Sequence, residues 1–170
     1  TIARIGEEFD KSVSLVYHHY DGKDELLVDF LEFMLERFTS EVTVGEYEDA
    51  HEQLRASLSG VRSGPLADEQ RAFVSALTEL RAQAAHDPAY REQFEKTDEF
   101  FRERVASVVR AGIEQGVFRE VDPEQVADML VTTVNGALLN RVTTDAPVAP
   151  TFEELDAYIE LRLLADDAES

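Results

Sequence analysis

The sequence predicts an all-α protein in which a short N-terminal helix-turn-helix leads into a larger helical bundle. Three observations carry this. Apolar residues recur at helical spacing in almost every segment, and no segment alternates long enough to read as a strand. Breaks between segments fall on helix-ending or helix-starting signals such as Asp21-Gly22, Gly64-Pro65 and Asp87-Pro88. Hydrophobic residues make up 44% of the 170, enough for a packed core without disulfide or metal support.

In chain order, Ile2, Ile5 and Phe9 share one face of a helix of about two turns, and Ala3 and Gly6 permit close approach. A turn at Asp10-Lys11 follows, and Ser12 caps a second short helix, Val13 to His19. Two short helices joined by such a turn form a helix-turn-helix, whose second helix fits a DNA major groove. After Gly22 a long helix begins at Lys23, carrying Leu26, Leu27, Phe30, Leu31, Met34, Leu35 and Phe38. Thr43 to Glu46 breaks the pattern, and Tyr47 to Leu58 is helical until Gly60. Leu66 to Ala85 follows.

Asp87-Pro88 opens a helix running to Gln115, with Gly116 as its terminator. Asp122-Pro123-Glu124-Gln125 is a capping box opening the helix to Thr143. Asp145 to Pro150 reads as a loop. Thr151-Phe152-Glu153-Glu154 reads as a second capping box, opening a last helix to Ala165.

Composition excludes several function classes. With no cysteine, the chain has no disulfide, thiolate nucleophile or Cys-containing zinc site. No apolar run of about 18 residues spans a membrane. No signal-peptide pattern opens the chain, so the cytoplasm is the expected location. His51-Glu52-Gln53-Leu54-Arg55 starts like a zinc-protease motif but lacks the second histidine. His51 and His86 read as surface residues, and neighbouring His18 and His19 point too far apart on a helix to share a metal. No nucleophile, base and orienting group assemble, and neither cofactor nor metal is expected.

Residues 1–27 resemble the DNA-binding segment of the TetR family of transcription regulators without a gap. That family's pattern is roughly T-I-x-x-I-A-x-x-A-G-V-S-x-G-T-L-Y-H-Y-F-x-S-K-x-x-L-L. The block Val16-Tyr17-His18-His19-Tyr20 and the step from Lys23 to Leu26-Leu27 are its most specific matches. The resemblance implies a dimer that binds double-stranded operator DNA and is released by a small-molecule effector, most simply a repressor. It implies that Tyr17 and His18 touch phosphates or base edges and that Lys23 binds a phosphate. It places Val13, Ser14 and Leu15 towards the bases and lets Thr1 cap its helix and reach phosphate. Lys11, in the turn, joins this set. A helix N-terminus and a cationic group both attract phosphate. Asp10 stands where the family usually has Gly, and Leu15 where Thr is common, so base readout leans on methyl contacts and Ser14. The family's first helix has no counterpart after Thr1, which matches the start of its second.

Residues 1–27 are thus the expected DNA-binding segment, and 28–170 the effector-binding and dimerisation domain. Phe33, Leu54, Leu58, Phe73, Leu77 and Phe101 are candidates for the effector pocket, with core packing the alternative for each. Helices 88–115 and 123–143 are the expected dimer interface, through Val105, Val108, Gly112, Val134 and Leu138. Asn135 and Asn140 lie within its apolar stretch. The alternative function is a helical small-molecule or protein-binding module without DNA-binding activity. Acidic charge motivates it.

Asp and Glu number 36 against 16 Lys and Arg, a net charge of −20. Residues 1–23 carry Arg4, Lys11 and Lys23 against Glu7, Glu8, Asp10 and Asp21, a net of −1 that leaves −19 for residues 24–170. The body would repel a polyanion in dilute buffer. At about 1 M salt the Debye length is roughly 3 Å, and only contact-range groups count. Acid excess with only Lys11, Lys23 and Lys96 as lysines suits a protein hydrated in concentrated salt. Circular dichroism should show the fold lost at low salt and recovered in molar KCl; salt-independent melting would leave an ordinary acidic protein.

Overall fold

The computed structural model describes residues 20, 22–41, 47–62 and 67–165, and the two short helices expected within 1–19 lie outside them. Six helices occur among the described residues: α1 (Lys23–Glu41), α2 (Ala50–Arg62), α3 (Asp68–Gln83), α4 (Pro88–Glu114), α5 (Pro123–Thr143) and α6 (Ala149–Tyr158). A π-helical turn, Ile159–Leu163, continues α6. No strand occurs among the described residues; one isolated antiparallel bridge joins Phe118 to Leu164.

The helix starts follow local chemistry. Asp87 Oδ1 accepts from the Ala89 NH at 2.8 Å, with Pro88 in the first turn where its missing NH leaves nothing unpaired. Asp122 Oδ1 accepts from the Glu124 and Gln125 NH groups, both at 3.1 Å, and Gln125 Nε2 donates to its other oxygen at 2.7 Å. α2 starts at Ala50 rather than Tyr47 because Asp49 Oδ1 accepts from the Glu52 NH at 2.8 Å, which makes Asp49 the cap. It also runs past Gly60 to Arg62.

The second expected capping box does not form. α6 starts at Ala149, so Thr151 and Glu154 lie inside the helix, and Val148 stands at the cap position with no side-chain bond. Pro150 in the first turn favours this earlier start. Burial of Val148 in the core, rather than a polar cap, anchors it.

Two apolar clusters hold the helices. The larger joins α2 (Leu54, Leu58), α4 (Val108, Val109), α5 (Val126, Leu130) and the C-terminal helix (Phe152, Leu155, Ile159, Leu163). The smaller joins Leu31 and Leu35 of α1 to Tyr90 and Phe94 of α4, flanked by Leu77 and Leu80 of α3.

The far end of α4 is closed by a close contact. Gly116 adopts φ +74°, a conformation open to glycine. The Val117 and Phe118 NH groups then donate to the Gly112 carbonyl at 2.9 and 3.0 Å. This return folds the Phe118 ring onto Gly112, where an added Cβ would lie 2.0 Å from ring carbon Cδ2. Arg119 NH donates to the Leu163 carbonyl at 2.8 Å and Ala165 NH to the Val117 carbonyl at 3.0 Å, tying this loop to the residues after α6.

Gly112→Ala should lower unfolding free energy by about 1–3 kcal/mol, because the buried ring cannot retreat; urea denaturation measures it. Asp122 generates a pH prediction. Its carboxyl is held below the usual carboxylate range, first by the Gln125 backbone bond and then by the Gln125 side chain and Glu124. The resulting stabilisation is fully present above the unfolded value of about 3.9 and is lost as pH falls through the lowered folded value. Asp122→Asn should therefore flatten the fall of Tm between about pH 5 and pH 2.

Candidate functional site

Thr1, Lys11, Val13, Ser14, Leu15, Tyr17 and His18 lie outside the described residues. Lys23 is the first residue of α1 and is exposed to solvent. Asp24 and Glu25 follow it in the first turn, where negative charge suits the helix dipole. Tyr20, directly after the expected recognition segment, is half-buried. Its phenol is held above its ordinary value, first by burial, then by a hydrogen bond to Asp29 and the charges of Asp29 and Glu25. The hydroxyl donates to the Asp29 carboxylate, so the end of the motif is fastened to the second turn of α1.

α1 in turn is fastened to α4. Leu31 is fully buried and Leu35 nearly so, both against Tyr90 and Phe94. Burying one such leucine contributes about 1.5–3 kcal/mol. Burial first and then the Asp24 charge raise the Tyr90 phenol, so α1 also sets a negative charge beside α4. Phe94 also carries the Arg81 guanidinium over its ring at 4.4 Å. Arg81 grips Asp98 with two parallel bonds of 2.7 and 3.0 Å. The first half of α4 thus connects α3 to α1 through one aromatic ring.

The expected pocket residues do not form a single lining. Leu54 and Leu58 belong to the larger core and Leu77 packs on the smaller one. Phe73 and Phe101 are half-buried and belong to neither cluster. Phe33 is 59% exposed, because two residues past Leu31 is the opposite side of the helix. The half-buried hydroxyls of Thr78, Thr97 and Thr133 are bonded to carbonyls of their own helices. His51, expected at the surface, is half-buried with Nε2 enclosed and without a hydrogen-bond partner.

A feature not anticipated from sequence is an open groove of about 590 Å³ between α2 and α4. Lys96, Glu99, Phe100, Glu103, Arg104, Ser107, Val108 and Ala111 of α4 line it, with Gln53 of α2. The signal was present as the spacing 96, 100, 104, 107, 111, which is one stripe of a helix.

Residues 50–163 match the family model described as BetI-type transcriptional repressor, C-terminal. The chain belongs to the TetR family of transcription regulators. A TetR transcription regulator from Haloarcula marismortui superposes with a TM-score of 0.85 at 33% identity, over 96% of this chain and 87% of that one. A protein assigned as a transcriptional regulator from Saccharomonospora viridis, in complex with choline, gives a TM-score of 0.74 at 19% identity, over 97% and 87%. A protein assigned to the TetR family from Rhodococcus sp. gives 0.76 at 22%, over 95% and 86%. The last two similarities concern the fold. No curated protein matches the chain. The members of this family are regulators and not enzymes, and no helix among the described residues of this one is long and apolar enough to cross a membrane.

In this TetR-family chain the residues expected at the two-fold interface are placed differently from one another. Val108 and Gly112, expected at the dimer interface, are buried within the protomer, Val108 in the larger core and Gly112 beneath Phe118. Val105 and Val134 pack partly against the same core, and Leu138 is half-buried. Elsewhere α5 and the π turn expose apolar surface: Leu139 is 46% and Leu161 75% exposed. Gly136, one helical turn before Leu139, has open space where a Cβ would stand.

Proposed function

We propose that this TetR-family regulator is a repressor that binds operator DNA as a dimer and leaves it when a small-molecule effector occupies the bundle. The observation that carries the reading is the mounting of α1. It begins at Lys23, directly after the motif of residues 1–20, and its leucines are seated on α4. A shift in the first half of α4 therefore moves α1 and whatever α1 carries. On this reading residues 1–27 form the DNA-binding segment and residues 28–170 the effector and dimerisation domain.

The effector site of this reading lies around Phe73 of α3 and Phe101 of α4, two half-buried aromatics. A ligand there would favour one spacing of two DNA-reading heads over another and so shift the population between bound and released states. The Saccharomonospora viridis protein was crystallised with choline, which makes choline the first effector to test. On this reading the second protomer docks on the exposed apolar surface of α5 and of the C-terminal turn, at Gly136, Leu139 and Leu161. Gly136 allows close helix approach, and the two leucines supply apolar area that a monomer leaves in water.

The test is fluorescence anisotropy with DNA from upstream of the chain's own gene, titrated with KCl up to about 1 M, where the −20 charge is screened. A dimer, verified by sedimentation, should bind saturably. Lys23→Gln should weaken binding to all sequences alike and reduce the salt slope by about 1. A folded dimer that binds no such DNA at any salt would favour the ligand-binding module without DNA-binding activity.

A further inference from the structure

The groove between α2 and α4 holds an unusual cation. Arg104 is half-buried, and its guanidinium has no carboxylate or carbonyl partner among the described residues. The chain has 36 acidic residues for 16 basic ones, so an intramolecular partner would be easy to supply. The other basic groups around the groove show the contrast. Lys96 pairs with Glu92 at 2.9 Å. Arg102 pairs with Asp128 at 2.9 Å and lies 3.9 Å from Glu99. Arg110 takes both Glu103 and Glu124. The two acids that line the groove, Glu99 and Glu103, are therefore each engaged by a different arginine, and neither pairs with Arg104. A partly desolvated charge without a counter-charge is unfavourable, and an anion from solution would relieve it.

The rest of the groove says what kind of anion. Phe100 stands 42% exposed in the wall, held edge-to-face against Phe101 with ring centroids 5.3 Å apart. Val108 and Ala111 continue the apolar surface, and the Ser107 hydroxyl and Gln53 amide add donors. A bare inorganic anion would leave this surface unused. A guanidinium fork matches the two oxygens of a carboxylate. A volume of about 590 Å³ suits a small organic molecule. We infer that the groove binds a small organic carboxylate with an aromatic or apolar body, its carboxylate on Arg104 and its body against Phe100, Val108 and Ala111. The site adjoins the proposed effector position through the Phe100–Phe101 contact but takes the opposite charge, a carboxylate and not a cation such as choline.

Benzoate is the probe. Calorimetric titration of the full chain, folded in KCl and without DNA, should show saturable binding of benzoate. Benzyl alcohol, which keeps the ring and lacks the charge, should not bind there, and choline should not compete. Arg104→Gln should weaken benzoate by about tenfold or more, as expected for loss of a charge-assisted pair. Phe100→Ala should weaken it as well. Arg55→Gln, exposed on α2 and outside the groove, should leave it unchanged. If circular dichroism shows Arg104→Gln unfolded, Arg104→Lys decides, since it keeps the charge and loses the fork; a loss of benzoate affinity is expected there too. Absence of saturable benzoate binding, undiminished binding by a folded Arg104 variant, or displacement by choline would overturn the assignment. Because no DNA enters the measurement, failure here leaves the repressor reading intact, and the reverse also holds.

Discussion

The seating of Leu31 and Leu35 on Tyr90 and Phe94 is the contact on which any regulatory role depends. α1 follows the segment proposed to bind DNA, and these leucines are where it is held to the body of the protein. Apolar packing of this kind is close-fitting and does not deform smoothly. α1 and α4 must move together or repack. Arg81 reinforces the point from the other side: its guanidinium covers Phe94 and grips Asp98, so α3 reports to the same ring. Tyr20 extends the chain of contacts to the edge of the motif through Asp29.

The larger core is built for constancy by comparison. Its apolar residues come from α2, α4, α5 and the C-terminal helix, and the loop after α4 is bonded to the chain's last described residues. Gly112 beneath Phe118 leaves no room for adjustment. The molecule therefore has one rigid cluster and a smaller one that carries α1. Half-buried aromatics, Phe73 and Phe101, belong to neither.

Charge sets the conditions under which this works. Most of the −20 lies outside the motif, and much of the basic complement is spent on pairs along α4, such as Arg102 with Asp128 and Arg110 with Glu124. Exposed pairs of this sort contribute little singly. Here they join α4 to α5 and offset local acid repulsion between them. Arg104 stands out against that background because it has no ion-pair partner among the described residues.

The helical class and most helix limits among the described residues were legible in the amino-acid sequence, because periodicity and capping are local. Asp87 and Asp122 cap their helices through bonds that span two or three residues, and such bonds require no knowledge of distant segments. Thr151 has the same local credentials and does not cap, because Val148 is drawn into a core assembled from α2, α4 and α5. Which face of a helix is buried is a matter of what lies opposite. That is why helical spacing alone did not show that Val108 and Gly112 pack inside the protomer, while Gly136, Leu139 and Leu161 stay exposed. The groove at Arg104 required the same information twice over: the approach of α2 to α4, and the capture of each neighbouring acid by another arginine. Local sequence chemistry determines where helices begin and what they are; only packing between distant segments decides which side chains are left with unmet charge or uncovered apolar area, and those are the groups that bind something else.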